Sequence, residues 1–275
     1  MNKLISSSLK PMGIGYFAGF CGSLVGMGGG FIIIPLATRF LKLTQHQAHG
    51  TSLVSITATG ISGAVGYASA QMVDFQTAGL MTATGMVTAS LGAKLTGKFS
   101  QESLKAALGM FMMSMGVLVQ IRQSKGTESQ IDNTEKNEVN SEVSSPYKCL
   151  QILGIGCGSG LLAGFFGVGG GAITVPSLAV ATNLDHKTIL GTSMAAMVLP
   201  ALSGCITHYR QGTALVSIGI PLAIGSSFGA FLGSKVISTI EDEERVKAIF
   251  SLLMVTLGMN NLRPQISSLI KSLGI

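Results

Sequence analysis

The sequence predicts an all-α, polytopic membrane protein made of two pseudo-symmetric repeats. Three observations lead to this fold class: the chain is 47% hydrophobic, only 11% of its residues are charged, and its glycine-rich apolar segments occur twice. Soluble domains carry about 25% charged residues, so the composition excludes an ordinary water-soluble fold. The 37 glycines suit a membrane bundle, in which small residues let helix backbones approach closely.

A glycine-rich motif is repeated within the chain. Gly-Met-Gly-Gly-Gly at 26–30, which leads to Pro35, matches Gly-Val-Gly-Gly-Gly at 167–171, which leads to Pro176. The shift is 141 residues (167 − 26), and four further blocks match at the same shift: Gly13-Ile14-Gly15 with Gly154-Ile155-Gly156, Gly50-Thr51-Ser52 with Gly191-Thr192-Ser193, Ser62-Gly63 with Ser203-Gly204, and Leu91-Gly92-Ala93-Lys94 with Leu232-Gly233-Ser234-Lys235. Five blocks in one register indicate a tandem duplication.

The predicted membrane helices follow from the apolar runs, because about 20 apolar residues span a bilayer. Such runs lie at roughly 11–40, 48–70, 75–98, 103–121, 147–182, 190–210, 214–237 and 246–262. The first and the fifth are too long for one straight span, and each contains its glycine cluster. We therefore expect about four helical segments per repeat, with the first segment of each repeat broken at the glycine-rich motif.

Two topologies fit this pattern. If the broken segment is a discontinuous span, each half crosses the membrane four times and the repeats are parallel. If it is a re-entrant hairpin, each half crosses three times and the repeats are inverted. The positive-inside rule does not decide between them, because Lys and Arg divide almost evenly between the two sides in either case. Orientation and host membrane also stay open.

The chain divides into a transmembrane repeat at 1–121, a linker at 122–146 and a second transmembrane repeat at 147–275. The linker has eight charged residues and three aliphatic ones. Such a segment cannot bury enough apolar surface to fold, so we predict a disordered polar linker.

The two motif copies, each followed by Gly-Thr-Ser at 50–52 or 191–193, resemble the sulfite exporter TauE/SafE family. The resemblance covers about residues 11–262 except the linker. It implies a multi-pass carrier that moves sulfite, a sulfonate or a related small organosulfur anion by secondary transport. The alternatives are a non-transporting membrane assembly or receptor subunit and an intramembrane enzyme. An enzyme needs a nucleophile–base pair or a metal cluster at depth, which the sequence does not offer.

A broken helix leaves backbone N–H groups without helical partners. Within a membrane these groups must be satisfied by protein, water or ligand, so a bound anion can accept hydrogen bonds from them. The positive end of a half-helix favours an anion, and glycines allow close approach to the backbone. The predicted substrate-binding residues are the glycines and the nearby hydroxyl residues of both copies: Gly26, Gly28, Gly29, Gly30, Thr51, Ser52, Gly167, Gly169, Gly170, Gly171, Thr192 and Ser193. The alternative interpretation is that the glycines only allow close helix packing and that the hydroxyls are N-caps.

Two further groups of residues near membrane boundaries have open roles. Lys94 and Lys235 correspond at the 141-residue shift and either snorkel to the interface or supply a vestibule charge for the anion. His49 and His208 occur in one half only and are interpreted as caps or anchors, with a proton relay as the alternative.

The expected partners are a small anionic substrate and the lipid bilayer. A coupling proton or ion and a homo-oligomer are left open. We expect no catalytic residue, no metal and no cofactor. The net charge of +6 comes without a basic cluster flanked by aromatic residues, so we expect no nucleic acid as a partner.

Overall fold

The computed structural model of the protein describes residues 2–129, 146–240, 252 and 255–262. All regular structure in this part of the chain is helical, which confirms the prediction of an all-α fold. The first half contains α1 (Asn2–Leu24), α2 (Gly30–Phe40), α3 (Gln45–Ala68), α4 (Phe75–Thr96) and α5 (Gln101–Ser129). The second contains α6 (Pro146–Phe166), α7 (Gly171–Ala181), α8 (His186–Ala196), α9 (Val198–Arg210) and α10 (Val216–Thr239), and residues 255–262 are also helical.

Both long apolar runs are broken at the glycine clusters, between α1 and α2 and between α6 and α7. Gly26, Gly28 and Gly29 have φ values of 67°, 76° and 75°, and Gly167 and Gly169 have values of 65° and 71°. This left-handed backbone cannot continue a right-handed helix, and only glycine adopts it without steric cost. The glycines therefore end one helix and let the next begin in a new direction.

Two boundaries differ from those predicted. Helix α5 continues to Ser129, so residues 122–129 belong to a helix and not to a disordered linker, while 130–145 lie outside the described residues. The run predicted at 190–210 is divided at Met197 into α8 and α9. Pro200 lacks an N–H, so the Ala196 carbonyl has no helical partner, and the Thr82 hydroxyl donates to it instead (3.2 Å).

The broken elements pack on helices of the opposite half. Along α10, Gly225, Gly229 and Gly233 face the backbone of Met12, Tyr16 and Phe20 on α1, in that order. Along α6, Gly156, Gly160 and Gly164 face the backbone of Met81, Gly85 and Ala89 on α4. Residue numbers rise together in both pairs, so α1 runs parallel to α10 and α6 runs parallel to α4. Because glycine has no side chain, the backbones of the paired helices can touch.

Helix α3 shows how the two halves are oriented. It runs parallel to α10, because Val54 packs at Gly219 near the start of α10 while Gly66 packs at Ser234 near its end. It runs antiparallel to its own counterpart, α8–α9, because Leu53 packs at Gly204 while Gly63 packs at Met194. Equivalent helices thus point in opposite directions.

The first broken element is therefore a hairpin. Helices α1 and α3 both run parallel to α10, and only residues 41–44 separate the end of α2 from the start of α3. Helix α2 must then return to the end at which α1 begins. This geometry matches the re-entrant hairpin and not the discontinuous span.

Hydrogen bonds between the halves come in pairs that exchange at the 141-residue shift. Ser62 Oγ donates to the Ser227 carbonyl (2.6 Å), and Ser203 Oγ donates to the Met86 carbonyl (2.7 Å). Positions 62 and 203, and positions 86 and 227, differ by 141. The same bond is made twice with the halves exchanged, which defines a pseudo-two-fold axis. Because equivalent helices are antiparallel, we infer that this axis lies in the membrane plane and that the repeats are inverted.

The outer surface is apolar, as a lipid-facing surface requires. Phe75, Val180 and Phe228 are each more than 60% exposed. Within the described residues, three helical segments are long and apolar enough to cross a membrane, judged by length and composition: Tyr147–Phe166, His186–Arg210 and Val216–Thr239.

Candidate functional site

The two glycine loops, residues 26–30 and 167–171, meet at the pseudo-two-fold axis. Gly28 and Gly169 both face the side chains of Ile56 and Met197, which are themselves equivalent positions. The β-position of Gly30 lies 2.6 Å from Val168 Cα, and that of Gly171 lies 2.6 Å from Met27 Cα. The structure thus brings the predicted glycines of both halves into one buried cluster.

Free backbone donors are concentrated in these loops. The N–H groups of Ile32 and Ile33 bond to the Gly29 carbonyl, and that of Gly26 bonds to the Ser23 carbonyl. In the described part of the chain, no hydrogen bond is donated by the backbone N–H groups of residues 28–31 or 168–172. These donors stand at the N-termini of α2 and α7, where the helix dipole is positive. The arrangement can accept an anion with several N–H groups at once.

Some of the glycines also serve close packing. A β-carbon on Gly29 would meet the Ala18 carbonyl, and one on Gly170 would meet Ser159, the equivalent residue, at 2.8 Å. A large side chain at either position would clash with the backbone and disrupt the hairpin. Gly28 and Gly169 face only side chains, so they are better positions for testing binding.

The N-cap interpretation of Thr51, Ser52, Thr192 and Ser193 is wrong. Helix α3 begins at Gln45, with Thr44 as the N-cap in a capping box with Gln47, and α8 begins at His186, with Asp185 as the N-cap. The four hydroxyl residues lie in the second turn of each helix. Thr44 and Asp185 have the capping side chains that the helix starts prefer.

The four hydroxyls instead bind the opposite half. Ser52 Oγ donates to the Gly167 carbonyl (2.5 Å), and Ser193 Oγ donates to the Gly26 carbonyl (2.7 Å). Each serine therefore holds the glycine loop of the other repeat. The hydroxyls of Thr51 and Thr192 accept from the N–H groups of Leu215 (3.0 Å) and Asp74 (2.9 Å), the residues that precede α10 and α4.

We expect Ser52→Ala and Ser193→Ala each to lower the free energy of unfolding by about 1–3 kcal/mol, since each leaves a buried loop carbonyl without its donor. Thermal unfolding in detergent measures the effect. Ser238→Ala is the control, because that partly exposed serine bonds to the Lys235 carbonyl of its own helix. Wild-type melting temperatures for both Ser52→Ala and Ser193→Ala would show that the serines do not hold the loops.

Lys94 and Lys235 are both exposed. Lys235 Nζ donates to Ser69 Oγ (2.6 Å) beside the C-terminus of α3 and lies 5.9 Å from the Phe231 ring centroid. No hydrogen bond in the described residues joins either lysine to the glycine loops. The vestibule role stays a prediction.

Two buried histidines hold the end of α6, just before the second glycine loop. His49 Nδ1 lies 3.1 Å from the Phe165 carbonyl, and His208 Nε2 lies 3.1 Å from the Gly164 carbonyl. In the first half, Tyr67 donates its hydroxyl to the Ser23 carbonyl (2.6 Å). Tyr67 and His208 differ by 141, as do Ser23 and Gly164. Sequence reasoning did not assign these contacts, although the shift pairs the positions.

Comparison with known proteins agrees with the geometry. The sequence profile described as Sulfite exporter TauE/SafE matches residues 12–261. The chain belongs to this family. It is therefore an integral membrane protein and a membrane transporter, as its relatives' names also indicate.

Three relatives illustrate the similarity. "Probable membrane transporter protein YunE" of Bacillus subtilis (strain 168) is 28% identical over 89% of this chain and 92% of its own length. "Probable membrane transporter protein YdhB" of the same organism is 27% identical over 86% and 91%. "Probable membrane transporter protein MJ0441" of Methanocaldococcus jannaschii is 24% identical over 90% and 92%. No solved structure matches the chain.

Proposed function

We propose that the protein carries a small sulfur-containing anion, namely sulfite, a sulfonate or a related organosulfur compound, across the membrane by secondary transport. The observation that carries this proposal is the set of free backbone N–H groups in both glycine loops. The family description supports the class of substrate.

Backbone donors are the groups that suit this site. An anion in a low-dielectric interior is costly unless several donors meet it. Ile56 and Met197, which face the loops at the axis, are apolar and offer no charge. A sulfur oxyanion has several oxygens, so N–H groups from both loops can donate to it at the same time.

Inverted repeats suit alternating access to such a site. The loops touch at Gly30 and Gly171 in this structure, so an anion between them requires the loops to separate. Each half holds the other's loop through the same serine contact. We propose that the two hairpins separate on one side of the membrane or on the other. In each case one of the two equivalent serine–loop contacts would break while the other is kept.

The test is uptake of ³⁵S-sulfite into liposomes that contain the purified protein. We expect saturable uptake that unlabelled sulfite or methanesulfonate inhibits, compared with protein-free liposomes. Uptake equal to that of protein-free liposomes, for sulfite and for methanesulfonate, would contradict the proposal. It would favour a non-transporting assembly subunit.

A further inference from the structure

The chain entering the second glycine loop is held by two histidines, whereas the chain entering the first is held by a tyrosine. Gly164 and Phe165 receive their bonds from His208 and His49. The equivalent of His208 is Tyr67, and the equivalent of His49 is the apolar Leu190. The two halves share a backbone arrangement but differ here in the ability to take up a proton.

The second nitrogen of each histidine faces a partner that suits both protonation states. His49 Nε2 lies 3.0 Å from Gln45 Nε2, so the neutral ring accepts from the amide. Rotation of that amide presents its oxygen to a protonated ring. His208 Nδ1 lies 2.9 Å from Thr213 Oγ1, a hydroxyl that can donate or accept. Neither ring is left unpaired in either state.

Backbone carbonyls favour a proton on this pair, whereas burial of both rings opposes a charge there. The two rings contact carbonyls at the C-terminus of α6, where the helix dipole is negative and favours a cation. Thr96 on α4 adds only a neutral hydroxyl, which donates to the Phe165 carbonyl (2.9 Å). Among the described residues, the titratable groups that act on these rings are the two histidines themselves and His46.

His46 is the partly exposed histidine whose charge acts on both buried rings. It lies on α3 one turn before His49 and is partly exposed, whereas His49 and His208 are fully buried. A proton taken up at the surface by His46 can pass inward to either buried ring. Solvent exposure thus falls from His46, which is partly exposed, to His49 and His208, which are buried at the C-terminus of α6.

The pair is next to the proposed anion site. Ser52, one turn after His49, donates to the Gly167 carbonyl, and the His49 backbone packs against Gly167. A positive charge on the histidines and a negative charge at the second glycine loop would stabilise each other across this contact. By linkage, each ligand would raise the affinity for the other.

We propose that His49 and His208 form a proton-binding site, and that a proton bound there travels with the anion bound at the glycine loops. This inference rests on the proposed function. No covalent bond changes: the proton leaves water through His46, binds His49 Nε2 or His208 Nδ1, and is released to water on the other side with the anion.

The first test is accumulation of ³⁵S-sulfite in proteoliposomes with a pH gradient and a clamped membrane potential. If one proton accompanies each anion, a gradient of one pH unit raises accumulation about tenfold. We expect this of the wild type. The double variant His49→Gln/His208→Gln retains amide donors but cannot be protonated, so it should still equilibrate sulfite without accumulating it.

Tyr67→Phe is the matched control, because it removes the equivalent bond in the first half without changing a histidine. It should keep the tenfold accumulation. A double histidine variant that still accumulates sulfite would overturn the proposal, as would a wild type that carries sulfite without responding to the gradient. Loss of the response in Tyr67→Phe would equally overturn it.

A second measurement separates this proposal from the transport function. Amide hydrogen exchange of peptides covering 160–172, corrected for intrinsic rates, can be followed between pH 5 and 8 without any anion. Protonated rings should bind the α6 carbonyls more strongly, so wild-type protection should rise at low pH and the double variant should not respond. Equal pH dependence in both proteins would overturn the proton site. Absence of sulfite uptake alone would contradict only the transport function.

Discussion

Gly28→Ala and Gly169→Ala are expected to lower anion uptake about 10- to 100-fold while the protein still folds and inserts. Each added methyl group would point at the axis, 2.6 Å from Met197 Sδ for Gly28 and 2.8 Å from Ile56 Cγ2 for Gly169. Losing one hydrogen bond to an anion costs about 1.5–3 kcal/mol, which corresponds to that range of rates. The measurement is ³⁵S-sulfite uptake at equal amounts of reconstituted protein.

The cost to folding should be small relative to the total stability of a folded protein, about 5–15 kcal/mol. Both positions have positive φ, so alanine adds roughly 1–2 kcal/mol of backbone strain, and the clashing groups are side chains that can move. Gly13→Ala and Gly154→Ala are matched controls, because they are also equivalent and no atom lies within 4 Å of the added methyl. Wild-type uptake by the Gly28 and Gly169 variants would mean that these glycines serve packing alone.

Gly160→Ala is expected to destabilise the protein by about 1–3 kcal/mol or more through overpacking. A β-carbon there would meet the backbone of Gly85 on α4 and lie 2.5 Å from Thr88 Oγ1. Helices α4 and α6 would have to separate, and the hairpin of the second half would lose its support. Thermal unfolding and the yield of monodisperse protein in detergent measure this effect.

Gly158→Ala provides the comparison, since Gly158 lies on the same helix two residues earlier, is exposed, and has no atom within 4 Å of the added methyl. It should melt at or slightly above the wild-type temperature, because alanine is the better helix former. Equal melting temperatures for the two variants would contradict backbone contact between α4 and α6.

Several features of this protein were predictable from local properties of the chain. Low charge and apolar runs predict membrane helices, because the bilayer selects for length and hydropathy whatever the partners are. The breaks at 26–30 and 167–171 follow from glycines that adopt left-handed backbone. The 141-residue register gives the repeat, and the paired motif gives the family.

Local reasoning failed where the deciding partner was distant in sequence. Ser52 was predicted to bind the anion, with an N-cap as the alternative, but its hydroxyl donates to the Gly167 carbonyl, 115 residues away. The division of α8 from α9 near Pro200 is stabilised by Thr82, 114 residues from the carbonyl that the proline frees. Neither partner can be identified from its own neighbourhood in the chain.

Composition, glycine conformation and spacing are properties of the chain alone, so they suffice to predict the fold class, the broken segments, the internal repeat and the family. Three features required the packed structure: equivalent helices are antiparallel, the two glycine loops meet, and His49 and His208 hold the end of α6. The positive-inside rule could not decide orientation, since Lys and Arg divide almost evenly. Helix direction and hydrogen-bond partners depend on which backbones pack together, and the glycines that permit this packing do not by themselves specify the partner.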